Sequence, residues 1–123
     1  MATTVVMGSV QEEAKGVFHI KWSATVSGDG SIHTLPPHVI SIDVQVSAST
    51  FGTSRVIIKG SNQDTPSTAV YETMTSVTGQ AMDYTGAQFK VMNESPRYIK
   101  PLFDTVTSGA TIKLDIYVRS GVA

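Results

Sequence analysis

Three histidines, His19, His33 and His38, are the side chains in this sequence best suited to metal binding or acid–base chemistry. His19 and His33 fall on neighbouring predicted strands, so strand pairing could bring them close together. A zinc site normally needs three or four ligands in a fixed cage, and no acidic residue is placed to complete one. The pattern favours histidines that face solvent, and it predicts no metal site and no cofactor.

Hydrolytic chemistry has little more support in the sequence. The G-x-S-x-G turn that exposes the serine of many hydrolases is absent. There is no cysteine, which excludes a thiol nucleophile, a disulfide framework and a thiolate metal site. Gly28-Asp29-Gly30 lacks the lysine and the following helix of a phosphate loop, and predicts a turn. A catalytic carboxylate pair of the glycosidase kind stays open. We predict no catalytic residue and a protein that is not an enzyme.

Aromatic and apolar side chains suggest contact with other proteins instead. Trp22 alternates with Phe18 and Ile20 on one strand face, which predicts a core position over a sugar-stacking platform. Tyr117 falls on the polar face of the last strand, where an exposed tyrosine suits an interface. Arg97 and Tyr98 are residue types enriched at binding hot spots, although a turn with a solvated arginine would look the same. The predicted interface residues are Val5, Val6, Met7, Arg97, Tyr98 and Tyr117.

The composition agrees with a protein that contacts neighbours. The net charge is −1, from nine basic and ten acidic residues, which argues against nucleic-acid binding. Charged residues make up 15% of the chain, below the roughly 25% of typical soluble domains. Serine and threonine take their place, and hydroxyls cost less to desolvate than ions. Many small all-β domains share this composition. No membrane-spanning run and no signal peptide is visible, so no membrane partner is predicted.

Alternating apolar and polar residues set the fold class. Residues 17–27, 39–48 and 112–119 each alternate with a period of two, as half-buried strands do. Residues 39–62 predict a hairpin of two strands, with Ile40, Ile42, Val44 and Val46 on the buried face of the first strand. Pro101 is expected at a sheet edge or a bulge. We predict an all-β protein with one antiparallel β-sandwich of jelly-roll type over residues 16–123, preceded by an N-terminal arm or edge strand over residues 1–15.

Short motifs between residues 51 and 101 resemble those of a known class of proteins. They are Phe-Gly-Thr-Ser at 51–54, Arg-Val-Ile-Ile-Lys-Gly-Ser-Asn-Gln-Asp at 55–64, and Ser-Pro-Arg-Tyr-Ile-Lys-Pro at 95–101, before a long last strand. The sequence of residues 39–120 resembles small β-sandwich virion proteins of tailed bacteriophages. It departs from their pattern at Gln63, which interrupts an Asn-Asp pair, and at Thr65-Pro66, where glycine and an aromatic residue are more typical.

The resemblance implies a structural role without chemistry. It suggests a capsid decoration (cement) protein, located in the virion and assembled in the host cytoplasm, with the major capsid protein or other virion proteins as partners. A homo-oligomer is expected, and a trimer would suit that role. The alternatives are a small tail or baseplate component, and a receptor- or carbohydrate-binding module of a tail appendage. Residues 1–15 would reach a neighbour by adding a strand to its sheet.

Overall fold

A computed structural model describes residues 5–63, 65–67 and 69–121 as two β-sheets packed around one core. This confirms the predicted all-β sandwich. The described residues contain no helix that is long and apolar enough to cross a membrane. The strands are β1 Val5–Val6, β2 Gly8–Ala14, β3 Val17–Ala24, β4 Gly28–Gly30, β5 His33–Thr34, β6 Val39–Ala48, β7 Arg55–Ser61, β8 Glu72–Thr73, β9 Asp83–Tyr84, β10 Gln88–Val91, β11 Tyr98–Thr105 and β12 Ile112–Ser120.

The five-stranded sheet is antiparallel throughout and has the order β10-β6-β12-β3-β2. Its central strand, β12, pairs with β3 on one side and β6 on the other along nearly its whole length. The predicted alternation holds here because one face of the strand packs against the other sheet. The side chains of Ile112, Leu114, Ile116 and Val118 are fully buried on that face.

The seven-stranded sheet has the order β1-β4-β11-β7-β8, with β5 paired to β11 and β9 paired to β7. Its pairs are antiparallel except β1 and β4, which run parallel. The core faces of β7 and β11 supply Val56, Ile58, Ile99 and Phe103, all fully buried. The two sheets therefore cover each other with branched and aromatic side chains.

The predicted hairpin over residues 39–62 is wrong. Strand β6 pairs with β10 and β12 in one sheet, whereas β7 pairs with β8, β9 and β11 in the other. The connection between β6 and β7 crosses from sheet to sheet at a corner of the sandwich. Strand β6 buries Ile42, Val44 and Val46 and β7 buries Val56 and Ile58, so the two strands contribute to the same core from opposite sheets.

The Gly28–Gly30 segment is strand β4, not the predicted turn. A Cβ atom on Gly30 would lie 2.5 Å from Cδ of Pro101, so the glycine allows close approach of β4 to β11. Pro101 itself lies in a central strand, contrary to the edge or bulge expected. β5 pairs with Tyr98 and Ile99, and β4 pairs with Leu102 and Phe103. Pro101 falls in the gap between them, where its missing N–H removes no ladder bond.

Ile40 is exposed, although the alternation of β6 predicts it in the core. Arg119 pairs with Ser41 and Ser120 pairs with Val39, so the register shifts at this point and Ile40 is the extra residue of a β-bulge. A bulge reorients the side chain of its extra residue, which explains the exposure.

The N-terminal residues take part in both sheets. β1 pairs with β4 in the seven-stranded sheet, and β2 pairs with β3 at the edge of the five-stranded sheet. Residues 1–4 of the predicted arm, residues 122 and 123 of the predicted domain, and Asp64 of the quoted motif lie outside the described residues. Deleting residues 1–15 would therefore remove two strands of the fold along with any contact they make.

Candidate interaction surface

The outer face of the five-stranded sheet brings together most of the charged and aromatic side chains that the sequence placed on polar strand faces. One row across it runs Gln11, His19, Tyr117, Asp43. The next row runs Ser9, Lys21, Asp115, Gln45, Phe89. We call this surface the outer face. It spans all five strands because each alternates its side chains between core and solvent.

His19 is buried at the centre of the outer face, with 7% of its surface exposed, so the expectation that it faces solvent is wrong. Its ring stacks on Tyr117, with centroids 4.1 Å apart. Nε2 lies 2.8 Å from Oδ1 of Asp115, and Nδ1 lies 3.3 Å from Oε1 of Glu13. Glu13 from β2 and Asp115 and Tyr117 from β12 therefore cover His19, although alternation along β3 places its side chain on the outer face.

Both ring nitrogens of His19 are engaged with carboxylates, which limits the chemistry available to it. A neutral imidazole donates one hydrogen bond, whereas an imidazolium donates to both carboxylates. Neither nitrogen faces an open cavity, and no group of three or more His, Asp or Glu side chains suited to a metal occurs among the described residues. The arrangement ties β2, β3 and β12 together.

A groove of about 720 Å³ lies beside this cluster, between the start of β2 and the middle of the sheet. It is lined by Met7, Gly8, Ser9, Lys21, Trp22, Ser23, Lys113 and Asp115. Lys21 and Lys113 are exposed, and neither forms an ion pair with another described residue. Because Asp115 is the single acidic residue of the lining and is bonded to His19, the two lysines give this groove, called the cationic groove below, a net positive charge.

The predicted interface residues at the N-terminus differ in accessibility. Met7 is largely exposed, whereas Val6 is buried and belongs to the hydrophobic core. Val5 lies in β1 opposite Asp29. Val6 is thus removed from the surface because β1 closes one edge of the sandwich. Tyr117 is 38% exposed, with one ring face covered by His19.

Arg97 directly precedes β11, and Tyr98 is the first residue of that strand in the seven-stranded sheet. Tyr98 is buried, and the Arg97 guanidinium lies over its ring, 5.1 Å from the centroid. The Arg97 N–H donates to Oδ1 of Asn62 at 2.7 Å, and its carbonyl accepts from Leu35. The loop of residues 93–97, called the Arg97 loop below, is therefore held in place by these contacts. Tyr98 packs inside the protein and contributes little to its surface.

Two shallow clefts of about 510 and 430 Å³ flank the Arg97 loop and share Asn62, Ser95 and Pro96. Glu94, on the wall of the larger cleft, accepts hydrogen bonds from the backbone N–H and the hydroxyl of Thr75. Burial raises the pKa of Glu94, but these hydrogen bonds outweigh it and hold the pKa below its ordinary value. A carboxylate committed in this way shapes the loop and is not poised as an acid or base.

The histidines predicted to approach each other lie in different sheets. His33 is in β5, where its Nε2 lies 3.1 Å from the Ser31 hydroxyl and its ring meets Trp22 edge-on at 5.0 Å. The same hydroxyl oxygen accepts from the Gly8 N–H at 2.8 Å and from Nε1 of Trp22 at 3.3 Å. Because the Ser31 oxygen already accepts two hydrogen bonds, its own proton is donated to Nε2 of His33. That nitrogen must therefore carry no proton.

Acid is expected to destabilise the fold through His33. Burial lowers the pKa of His33 below its ordinary value of 6.5. The unfolded chain takes up the proton first as the pH falls, so the free energy of unfolding should decrease below about pH 6.5 and level off above it. Urea titrations from pH 7.5 to 5.0 on the natural chain and on His33→Gln test this, and the natural chain should show the steeper slope. Equal slopes would contradict the assignment.

Sequence reasoning missed Phe89 and Val10. Phe89 is 58% exposed on edge strand β10, and Val10 is 56% exposed on edge strand β2. Val10 pairs with Ile20, which is buried in the core, but its position on the edge strand leaves Val10 uncovered. No sequence signal pointed to Phe89, because alternation with polar Gln88 and Lys90 predicts a buried position, whereas the pairing of Phe89 with Gln45 places it on the outer face.

Comparisons with known proteins give only distant likenesses. A scan with protein-family models and a comparison with curated proteins gave no match. Among solved structures, a cupin domain from Bordetella pertussis Tohama I is 15% identical, with a TM-score of 0.43 and 99% of each chain covered. An uncharacterized conserved protein with a double-stranded β-helix domain from Klebsiella pneumoniae subsp. pneumoniae MGH 78578 is 9% identical, with a TM-score of 0.46, and the alignment covers 100% of this chain and 80% of that one.

Proposed function

We propose that this protein is a non-enzymatic assembly subunit that binds other protein subunits through the five-stranded sheet and its edges. The phage virion is the proposed assembly, with a capsid decoration role as its most specific form. The observation that carries the assembly role is the exposure of large apolar side chains at both edges of one sheet, Met7 and Val10 at β2 and Phe89 at β10. The virion setting is supported by the sequence resemblance over residues 39–120.

The chemistry of the outer face also supports a contact surface. Exposed apolar side chains on an edge strand can be covered when another chain docks at that edge. Between the two edges lie His19 and Asp115, which are paired with each other, so a partner that covers them leaves neither of these two groups without its hydrogen bond. Tyr117 adds a half-exposed aromatic ring of the kind enriched at interfaces.

A carbohydrate-binding role has less support. Sugar recognition by stacking needs an accessible aromatic face, and Trp22, the single tryptophan, is 2% exposed. Tyr98 and Tyr84 are buried as well, and the two exposed rings among the described residues, Tyr117 and Phe89, lie on different strands, with one face of Tyr117 covered by His19. A tail or baseplate position remains compatible with the same contact surface, since it would use the same physics of buried area and edge pairing.

The proposal is tested by rebinding to particles. Virions are stripped of the protein, mixed with the purified chain and sedimented, and the pellet is examined by electron microscopy. We expect a fixed number of copies on the head surface and release of DNA at a higher temperature than from stripped particles. Absence of the protein from purified virions, or failure to rebind, would overturn the virion role.

Replacing Phe89 by serine should weaken particle binding about 30-fold, since a hot-spot aromatic contributes about 2 kcal/mol. The melting temperature should change little because the ring is mostly exposed already. Val70→Ser is the matched control, an exposed apolar residue in a loop beside the other sheet. Sedimentation titrations measure both. Equal binding by the two variants would show that β10 makes no contact.

A further inference from the structure

Strand β2 offers the longest open edge among the described strands. The other described strands with a single sheet partner are β1, β5, β8 and β9, with two residues each, and β10, with four, whereas β2 has seven. Residues 9–14 of β2 are all exposed. Such an edge carries unpaired backbone groups that another strand can bond.

The direction of these backbone groups follows from Gly8. Its N–H donates to the Ser31 hydroxyl at 2.8 Å, so it points away from β3, its only sheet partner. Backbone groups alternate sides along an antiparallel strand. Val10 and Glu12 therefore also direct their N–H and C=O toward the open edge. A strand that pairs here must bond to these two residues.

We propose that a second copy of this chain occupies the edge in antiparallel orientation, with Gln11 opposite Gln11 of the second copy. This proposal rests on the assembly role above and names its first partner. In this register Val10 lies opposite Glu12 of the second copy, and Glu12 lies opposite Val10. Each of these two pairs exchanges both backbone hydrogen bonds, so every outward group of Val10 and Glu12 is bonded.

Neighbouring registers are less favourable. A two-fold axis at Val10 would pair Glu12 with Gly8 of the second copy, whose N–H is already given to Ser31. An axis at Glu12 would place two glutamates directly opposite each other, which is destabilising. A parallel pair in register would align Glu12 and Glu13 with themselves and has the same defect.

Charge complementarity favours the antiparallel second copy further. With the axis at Gln11, Glu13 of the second copy comes beside Ser9, and Ser9 is the direct neighbour of Lys21 on β3. Ser9 and Lys21 both line the cationic groove. Glu13, which lies 3.3 Å from Nδ1 of its own His19, therefore comes to the lysine side of the groove of the other copy, and the contact is repeated by symmetry. The pairing joins two five-stranded sheets into one and covers Val10.

A cysteine scan tests the register directly, since the chain has no cysteine of its own. Gln11→Cys should form a disulfide-linked dimer, because opposite residues in a non-hydrogen-bonded pair have Cα atoms about 4.5 Å apart, within disulfide range. We expect at least about tenfold more linked dimer than from Ser108→Cys, an exposed turn position that reports random collisions. The natural chain should elute at twice its 13.1 kDa mass.

Val10→Cys and Glu12→Cys are the register controls. With the axis at Gln11, their sulfur-bearing residues lie on a diagonal about 7–8 Å from their own copies, beyond easy linkage. Preferential linkage through either one would overturn the proposed register. A monomeric natural chain with no linkage at position 11 would overturn the dimer and leave the edge to a different protein. Linkage at 11 without particle binding would leave the dimer standing and remove the virion role.

Discussion

Gly30→Ala is expected to lower the free energy of unfolding by about 3 kcal/mol, the upper part of the range for overpacking a well-packed core. The added Cβ would lie 2.5 Å from Cδ of Pro101, nearer still to its Cγ, and 3.1 Å from its carbonyl oxygen. A pyrrolidine ring cannot rotate away, so β4 must move from β11 and weaken the pairing of Asp29 with Leu102. Urea denaturation followed by Trp22 fluorescence measures the loss.

The control for this substitution is Gly86→Ala, since nothing lies within 4 Å of a Cβ atom at Gly86. It should change stability by less than about 0.5 kcal/mol. In a Pro101→Ala background, Gly30→Ala should cost much less, because most of the clash is with the ring. A double-mutant cycle without coupling between positions 30 and 101 would refute the close-approach explanation.

The sequence predicted which residues face the core far better than which strands pair. Alternation placed Ile112, Leu114, Ile116 and Val118 correctly because a period of two specifies a face directly. Alternation could not show that β6 and β7 lie in different sheets. A strand has the same pattern of apolar and polar residues whether the next strand pairs beside it or faces it across the core. The bulge at Ile40 was also hidden, because it depends on the register of β6 against β12.

The candidate surface was predicted only in part, for a related reason. Met7 and Tyr117 were singled out from their types and are accessible, whereas Val6 and Tyr98 are buried by strands far away in sequence. His19 shows the same effect within one sheet. Its strand position points outward, but Tyr117 and Glu13 cover it. Exposure on a strand face depends on neighbouring side chains, and those are known only once the pairing is known.

The features of β2 that discourage general edge pairing are the ones that would make a specific pair selective. Glu12 and Glu13 repel most approaching acidic strands, and the register shift between Glu12 and Ala14 interrupts a regular ladder. Only a strand that meets the glutamates with neutral or basic groups is accepted. A second copy aligned at Gln11 meets that condition, which combines protection against aggregation with a defined assembly contact.

Trp22→Ala is expected to cost about 3–5 kcal/mol, the usual range for truncating a large buried aromatic residue. The indole is buried between the sheets, and its N–H donates to Ser31 in the network that also holds Gly8 and His33. Because Trp22 is the only tryptophan, far-UV circular dichroism must replace fluorescence as the probe. Against a typical total stability of 5–15 kcal/mol, a large shift of the melting temperature should result.

Trp22→Phe separates the structural role of this residue from a sugar-stacking one. Phenylalanine keeps most of the apolar volume but loses the hydrogen bond to Ser31, so the cost should fall to about 1–2 kcal/mol. We expect this variant to fold, dimerise and bind particles like the natural chain, because a core residue makes no contact with a partner. In the natural chain, Trp22 emission should be blue-shifted and poorly quenched by acrylamide. A folded Trp22→Phe variant that loses binding, together with strong quenching in the natural chain, would place Trp22 on a recognition surface and contradict its assignment to the core.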